Sequence, residues 1–276
     1  MMTAEELLKR GEIEACYTQL TADVRQHPAD DRLRIFLAQL QLVRGQWDKA
    51  LTQLQVAAEL DAANLLLAQY YGLVVQCEHL RADIFAGKRT PLVFGEPPAW
   101  LGLLVQANEM VAQGEFTAAQ ILRERAFEEA PARGGTIDGR AFDWLADADA
   151  RLGPVFEAII EGKYYWIPLT TVQQIRIEEP GDLRDLVWIP AHFTWVNGGE
   201  SAALIPTRYP GSETSTDGAI QLARKTEWRQ EPGGLYLGLG QRMLAIGQDE
   251  VALLATRVVT FDHADVPASG SDSSYG

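Results

Sequence analysis

Two stretches of this chain repeat one another at a spacing of 34 residues. Gly11-Glu12-Ile13-Glu14-Ala15-Cys16 recurs as Gly45-Gln46-Trp47-Asp48-Lys49-Ala50, and Pro28 of the first unit falls opposite Ala62 of the second. A fixed period of this length signals helical hairpins, each of which can bury its apolar face only by stacking on the next. Such arrays are built mainly to hold another protein.

The period is that of tetratricopeptide (TPR) hairpins. Unit one runs from about residue 3 to 28, with Ile13, Leu20 and Val24 at helical spacing after the Gly11 turn. Unit two covers about 30–62, where Leu33, Phe36, Leu37 and Leu40 form one stripe and Trp47, Leu51, Leu54 and Ala58 the facing one. Gly45 and Ala50 are read as small because two helices approach there. A third unit repeats the signature at Gly114-Glu115-Phe116-Thr117-Ala118-Ala119 and closes at Pro131. Between them, Leu65–Gly87 is strongly helical without the glycine signature and reads as a degenerate spacer unit. Thr90–Pro98 is broken by Pro91, Gly95, Pro97 and Pro98 into a connecting loop, and Trp100 starts a fresh helix.

From Gly134-Gly135 onward the texture becomes β-like. Tyr164–Ile167, Val172–Ile177, Leu186–Ile189, Phe193–Val196 and Ala202–Ile205 read as short strands, and Asn197-Gly198-Gly199 is a hairpin signal. A second hairpin is expected from Tyr236–Ile246 and Val251–Phe261, turning at 247–250, with a short helix over 217–224. The expected fold class is α+β: stacked helical hairpins over 1–133, then a mostly antiparallel β domain over 134–262. Barrel-like closure is one way for that domain to remove its edges. Residues 263–276, rich in Ser, Gly and Asp, are expected to be a disordered tail.

With 276 residues, 47% of them apolar, the chain can bury a sizeable core. The net charge is −14, and residues 136–276 carry most of it, 20 acidic against 11 basic side chains. Such a charge disfavours nucleic acid and anionic lipid as partners. The N-terminus has no signal-peptide pattern and no run approaches ~18 apolar residues, so a cytoplasmic location is expected. Cys16 occupies the small-residue place of Ala50 and reads, like Cys77, as a buried free thiol.

A search for chemistry finds little. Asp143, Asp147 and Asp149 suggest a cation loop, but Arg151 and Leu152 stand where ligands and a glycine are needed. Asp147, Asp149 and Arg151 are better read as an ion-pair network on one strand face. Gly238-Leu239-Gly240 lacks the third glycine of a dinucleotide site, and its glycines suit a close strand approach instead. The four histidines are scattered, with His192 placed in the β core as a structural residue. No catalytic, metal or cofactor site is expected. Arginines among aromatics stand out: Arg208 beside Tyr209, Arg224 near Trp228, and Arg242. They either tie strands and loops together or form a recognition surface, so Arg208, Tyr209, Arg224 and Arg242 are candidate partner-binding residues.

Several long motifs carry a family resemblance. Phe142-Asp143-Trp144-Leu145-Ala146-Asp147-Ala148-Asp149-Ala150-Arg151-Leu152-Gly153-Pro154 is followed by Glu157–Pro168, Asp182–Trp188, Ile205–Pro210 and Gly238–Arg242, with Phe85-Ala86-Gly87 and Gly95–Trp100 upstream. Over about residues 5–262 the chain resembles the ImpE family, also called SciE-type virulence proteins or TagJ, accessory proteins of the bacterial type VI secretion system. The resemblance implies no catalytic activity. It implies binding of the sheath subunit TssB, through a helix near the TssB N-terminus, and a link to the ClpV ATPase that disassembles the sheath. A hairpin array offers a groove for such an amphipathic helix. A generic TPR adaptor for another assembly, and an enzyme sited around Asp147, Asp149 and Arg242, are the remaining alternatives.

Overall fold

The computed structural model describes residues 2–262. Seven helices come first: α1 (Ala4–Lys9), α2 (Ile13–Gln26), α3 (Asp31–Val43), α4 (Trp47–Leu60), α5 (Leu65–Phe85), α6 (Ala99–Gln113) and α7 (Phe116–Glu129). They pack in sequence as hairpins, α1 on α2, α3 on α4 and α6 on α7. Each hairpin turns on a glycine of the repeat signature: Gly11, Gly45 and Gly114 have φ of 76°, 66° and 80°, which a side chain disfavours. Gly45 has a second reason to be small. A Cβ there would strike the Glu213 side chain, so the constraint comes from a loop of the β region and not from a helix–helix approach.

One short strand, β1 (Leu92–Val93), lies inside the helical half; the others follow it. They are β2 (Gly135–Ile137), β3 (Arg140–Phe142), β4 (Leu145–Asp147), β5 (Val155–Ile160), β6 (Lys163–Pro168), β7 (Val172–Ile177), β8 (Trp188–Trp195) and β9 (Glu200–Pro206). After a one-turn helix, α8 (Gly218–Gln221), come β10 (Thr226–Glu231), β11 (Leu235–Gly240), β12 (Met243–Ile246), β13 (Asp249–Ala252) and β14 (Val258–Phe261). Nine strands form one sheet in the order β1-β6-β5-β9-β8-β7-β14-β2-β3, open at both ends, so no barrel closes. Strands β13-β12-β4 and β10-β11 make two small sheets. All pairs are antiparallel except β1 with β6.

Several expectations shift. Leu186–Ile189 and Phe193–Val196 belong to one eight-residue strand, β8, which runs through Pro190 because Pro190 still accepts a bond from the Glu178 N–H. Residues 236–246 do not form one strand. The chain leaves β11 at Gly240, where φ is 92°, and enters a different sheet at Met243. Of the expected second hairpin only β12–β13 exists, while β14 crosses to pair with β7 and β2. His192 is exposed on β8 rather than in the core. The tail expected over 263–276 lies outside the described residues.

The central strands are buried on both faces. On β5, Val155, Glu157 and Ile159 face the helices, while Phe156, Ala158 and Ile160 face a second core closed by β12 and β4. The first core runs without a break from Leu20, Leu40 and Leu54 of the helices through Val74 of α5 to Trp166 and Trp188 of the sheet. The helices and the sheet therefore share one hydrophobic interior.

Candidate partner-binding site

Helix α5 has two different ends. Its C-terminal half turns charge inward: Glu78 and Arg81 are buried against the sheet. Its N-terminal half turns leucine outward: Leu65, Leu66, Tyr70 and Leu73 are exposed, Leu66 to 77%. Beside them lies a shallow groove between α4 and α5 of about 420 Å³, floored by Ala58, Ala68 and Gly72 and edged by Gln55, Glu59 and Gln69. Nothing stands within 4 Å of where a Gly72 Cβ would be, so the helix backbone is approachable there. Leu60, at the end of α4, is also exposed, so this flank of α4 and α5 leaves several large apolar side chains uncovered. The α-helical stretch Leu65–Gly87 was legible in the sequence, but which of its faces stays uncovered is set by the sheet.

Behind this surface, a charged network joins α5 to the sheet. Arg81 donates from Nε to Glu157 at 2.5 Å and from Nη2 to the Arg208 carbonyl at 2.9 Å, and it lies 3.5 Å from Glu78. Glu157, fully buried, also accepts from Arg242 and from the Tyr164 hydroxyl. Trp166 donates to Tyr164 at 2.9 Å and Trp188 to Glu78 at 2.6 Å. Arg242 reaches Asp147 at 3.0 Å; Asp149 holds Arg151 with two side-chain bonds and accepts the Gly238 N–H at 2.6 Å. Burial works against the charge of Glu157, but Arg242 and Arg81 outweigh it and hold the carboxyl down at about 2. At Asp147 burial wins over the pull of Arg242 and raises the carboxyl to about 7. Asp147 and Glu157 share Arg242, and the cation sits mainly with Glu157.

The candidate residues from the sequence fall mostly inside this seam. Arg208 is 4% exposed, and Tyr209 and Arg242 are fully buried. Arg208 donates from Nη1 to Val43 O at 2.7 Å and Gln221 O at 2.6 Å, the last residues of α3 and α8. Its charge thus meets carbonyl ends of two helices. Tyr209 accepts the Met243 N–H at 2.8 Å, and its ring occupies the space a Cβ at Gly238 would need. Arg224 is exposed and donates to the Lys9 carbonyl at 2.9 Å. Arg208, Arg224 and Arg242 therefore act as ties between elements in this structure, with Arg224 alone reaching the surface. Asp147, the last residue of β4, pairs with Arg242, and Asp149 pairs with Arg151 in the turn that follows, so these ion pairs do not lie along one strand face. The exposed α4–α5 groove carries no sequence motif; its one signal was the excess of leucine and tyrosine over 65–73.

Cys16 and Cys77 are free and buried, and burial pushes both thiols up to about 11. Among the described residues, no group of three or more His, Cys, Asp or Glu is placed to hold a metal, and no helix is long and apolar enough to cross a membrane.

An array of helical hairpins is thus fused through a shared core to an open, mostly antiparallel sheet, with an uncovered apolar groove on α4–α5 and a buried ionic seam behind it. Residues 139–260 match the family model of the ImpE protein. The chain is 45% identical, over 264 residues, to the type VI secretion system accessory component TagJ of Pseudomonas aeruginosa, an alignment covering 96% of this chain and 92% of that protein. It also superposes on the crystal structure of protein VPA1032 from Vibrio parahaemolyticus with a TM-score of 0.86 at 24% identity, over 95% of this chain and 98% of the other. The chain belongs to the ImpE/TagJ family of type VI secretion accessory components.

Proposed function

We propose that this protein is a non-catalytic, cytoplasmic adaptor of the type VI secretion apparatus, which binds the sheath subunit TssB by seating a short amphipathic helix of TssB in the α4–α5 groove and is thereby linked to ClpV. The observation that carries the reading is the outward leucine face of α5 beside a groove with small residues on its floor. A helix laid there buries its own apolar face against Leu65, Leu66 and Tyr70. The groove has Glu59 as its one charged edge residue, and the chain as a whole is acidic, so the fitting helix carries basic residues along one flank. Family membership supports the choice of apparatus.

The test is calorimetric titration of the TssB N-terminal helix into the full chain and its Leu66→Glu and Gly72→Leu variants. Micromolar affinity is expected, because ordering the peptide offsets part of the contact energy. Each variant should weaken binding by about tenfold or more while the unfolding transition stays within ~0.5 kcal/mol of wild type for Leu66→Glu. Apolar burial predicts only a modest loss of affinity with added salt. Unchanged affinity in both variants removes the groove from the interaction, and no binding by the wild type removes TssB.

A further inference from the structure

A second cavity, sharing no lining residue with the first, opens where α6 and α7 meet β4, β12 and the end of β14 at Phe261. It is a cleft of about 390 Å³, within the size range of small-molecule sites. Trp100, Phe127, Trp144 and Phe261 form its aromatic walls, and Trp144 is 39% exposed at its border. Phe127 is held in place by Gly153, where a Cβ would collide with the ring. Two arginines complete the lining. Arg123 lies over the Phe127 ring, 4.3 Å from its centroid, and Arg133 lies 5.2 Å from that of Phe261.

These two cations are provided for differently from those of the α5 seam. Among the described residues neither has a carboxylate within salt-bridge distance. Arg133 donates only to backbone carbonyls, those of Leu169, Thr170, Val172 and Asp262, and the side chain of Arg123 donates only to Gln120 at 3.3 Å. The Nε of each is buried without a partner, as is that of Arg242, so the difference between the seams lies in the missing carboxylates. Burial lowers the affinity of both guanidinium groups for their protons, which marks desolvated positive charge. Two guanidinium groups stand on the aromatic walls of one cleft in a protein of net charge −14, against a single lining carboxyl, Asp147, which is already bonded to Arg242.

We infer that this cleft is a binding site for a small organic anion, a flat apolar body carrying one acidic group, with Arg123 meeting the acidic group and Trp144 and Phe127 enclosing the body. The apolar walls supply burial and the cations supply orientation. Arg133, fixed by four carbonyls, supplies field rather than contact. The site is independent of the α4–α5 groove and of the partner proposed for it.

The probe is 8-anilinonaphthalene-1-sulfonate, an aromatic body with one acidic group, followed by its fluorescence and by calorimetry on the full chain. Its uncharged analogue, N-phenyl-1-naphthylamine, serves as the comparison. One saturable site is expected. Arg123→Gln should weaken the sulfonate about tenfold or more, as loss of a charge-assisted bond does, and change the neutral analogue by less than about twofold. Arg123→Lys should restore part of the loss, Trp144→Ala should weaken both dyes, and Leu66→Glu should leave both unchanged. Arg123 is half-buried with one weak bond, so its variants are expected to fold, checked by circular dichroism. Equal sulfonate affinity in wild type and Arg123→Gln, non-saturating binding, or loss of the dye in Leu66→Glu would each overturn the inference.

Discussion

Helices meet sheets twice in this molecule, and the two seams treat arginine in opposite ways. At α5 the cations Arg81, Arg151 and Arg242 are packed against Glu78, Glu157, Asp147 and Asp149. At α7 the cations Arg123 and Arg133 border a cleft and find carbonyls or an amide but no carboxylate among the described residues. Burying a charge with its counter-charge gives a rigid tie, because each side chain is already committed. Burying part of a charge beside empty space leaves interaction energy that a ligand can realise. The contrast teaches that composition alone does not separate structural from functional arginine; the partner does.

The largest effect that can break this contrast is at Arg242. Arg242→Met leaves Glu157 and Asp147 without their shared cation, and should lower the unfolding free energy by about 3–5 kcal/mol in urea titration. A loss below about 1 kcal/mol would show that the α5 seam is not a tie. Next comes Trp47, which packs on Trp188 with ring centroids 5.7 Å apart and links α4 to β8. Because Trp47 is only half-buried, Trp47→Ala is expected to cost about 2 kcal/mol, less than the ~3–5 of a fully enclosed tryptophan. An unchanged melting temperature would detach α4 from the seam.

Smaller, and specific in sign, is the pH response of Asp147. Its carboxyl is raised in the fold to about 7 from an ordinary 3.8, so the folded chain keeps this proton while the unfolded chain loses it. The contribution stabilises below about pH 4 and is lost as pH rises through 7. Asp147→Asn removes that loss, so the variant should gain on wild type between pH 4.5 and pH 8 when urea midpoints are compared. A gain in the reverse sense would mean that Arg242 keeps Asp147 ionised. Glu157 has the opposite slope: held near 2, it stabilises above about pH 4.5 and loses this as acid approaches 2. The smallest effect belongs to the α7 seam, where Arg123→Gln should move stability by no more than ~0.5 kcal/mol. A cost near that of Arg242→Met would erase the difference between the seams.

The hairpin turns at Gly11, Gly45 and Gly114 were legible because a helix period and a positive-φ turn are local facts, written within a few residues of each other. Strands β6 and β7 were legible for the same reason. Strand β5 was not: buried on both faces, Val155–Ile160 lacks the alternation that marks a half-exposed strand, and its one charge, Glu157, looks like a surface residue. The two short strands expected at 186–189 and 193–196 are one because Pro190, which has no N–H to donate, still accepts through its carbonyl. The fate of Arg208 and Arg242 depends on Val43, Glu157 and Asp147, which lie between 85 and 165 residues away in sequence. No window of sequence contains such a pair, so a tie and an exposed recognition surface look alike until the chain is folded. The α4–α5 groove was hidden for the converse reason: leucine at 65 and 66 reads as core, and only the direction of α5 across the sheet leaves it outside.

The charged end of α5 also sets a schedule for the nascent chain. Arg81 emerges from the ribosome 76 residues ahead of Glu157, and Glu78 comes 110 residues ahead of Trp188. At about 5–20 residues per second, synthesis leaves α5 without its counterparts for roughly 4–20 s. Throughout that interval the growing helix offers leucine and a Glu78–Arg81 pair without its partners from the sheet, and the two-residue strand β1 has no β6 to join. The helical half, though first to be made, is completed only when the sheet arrives.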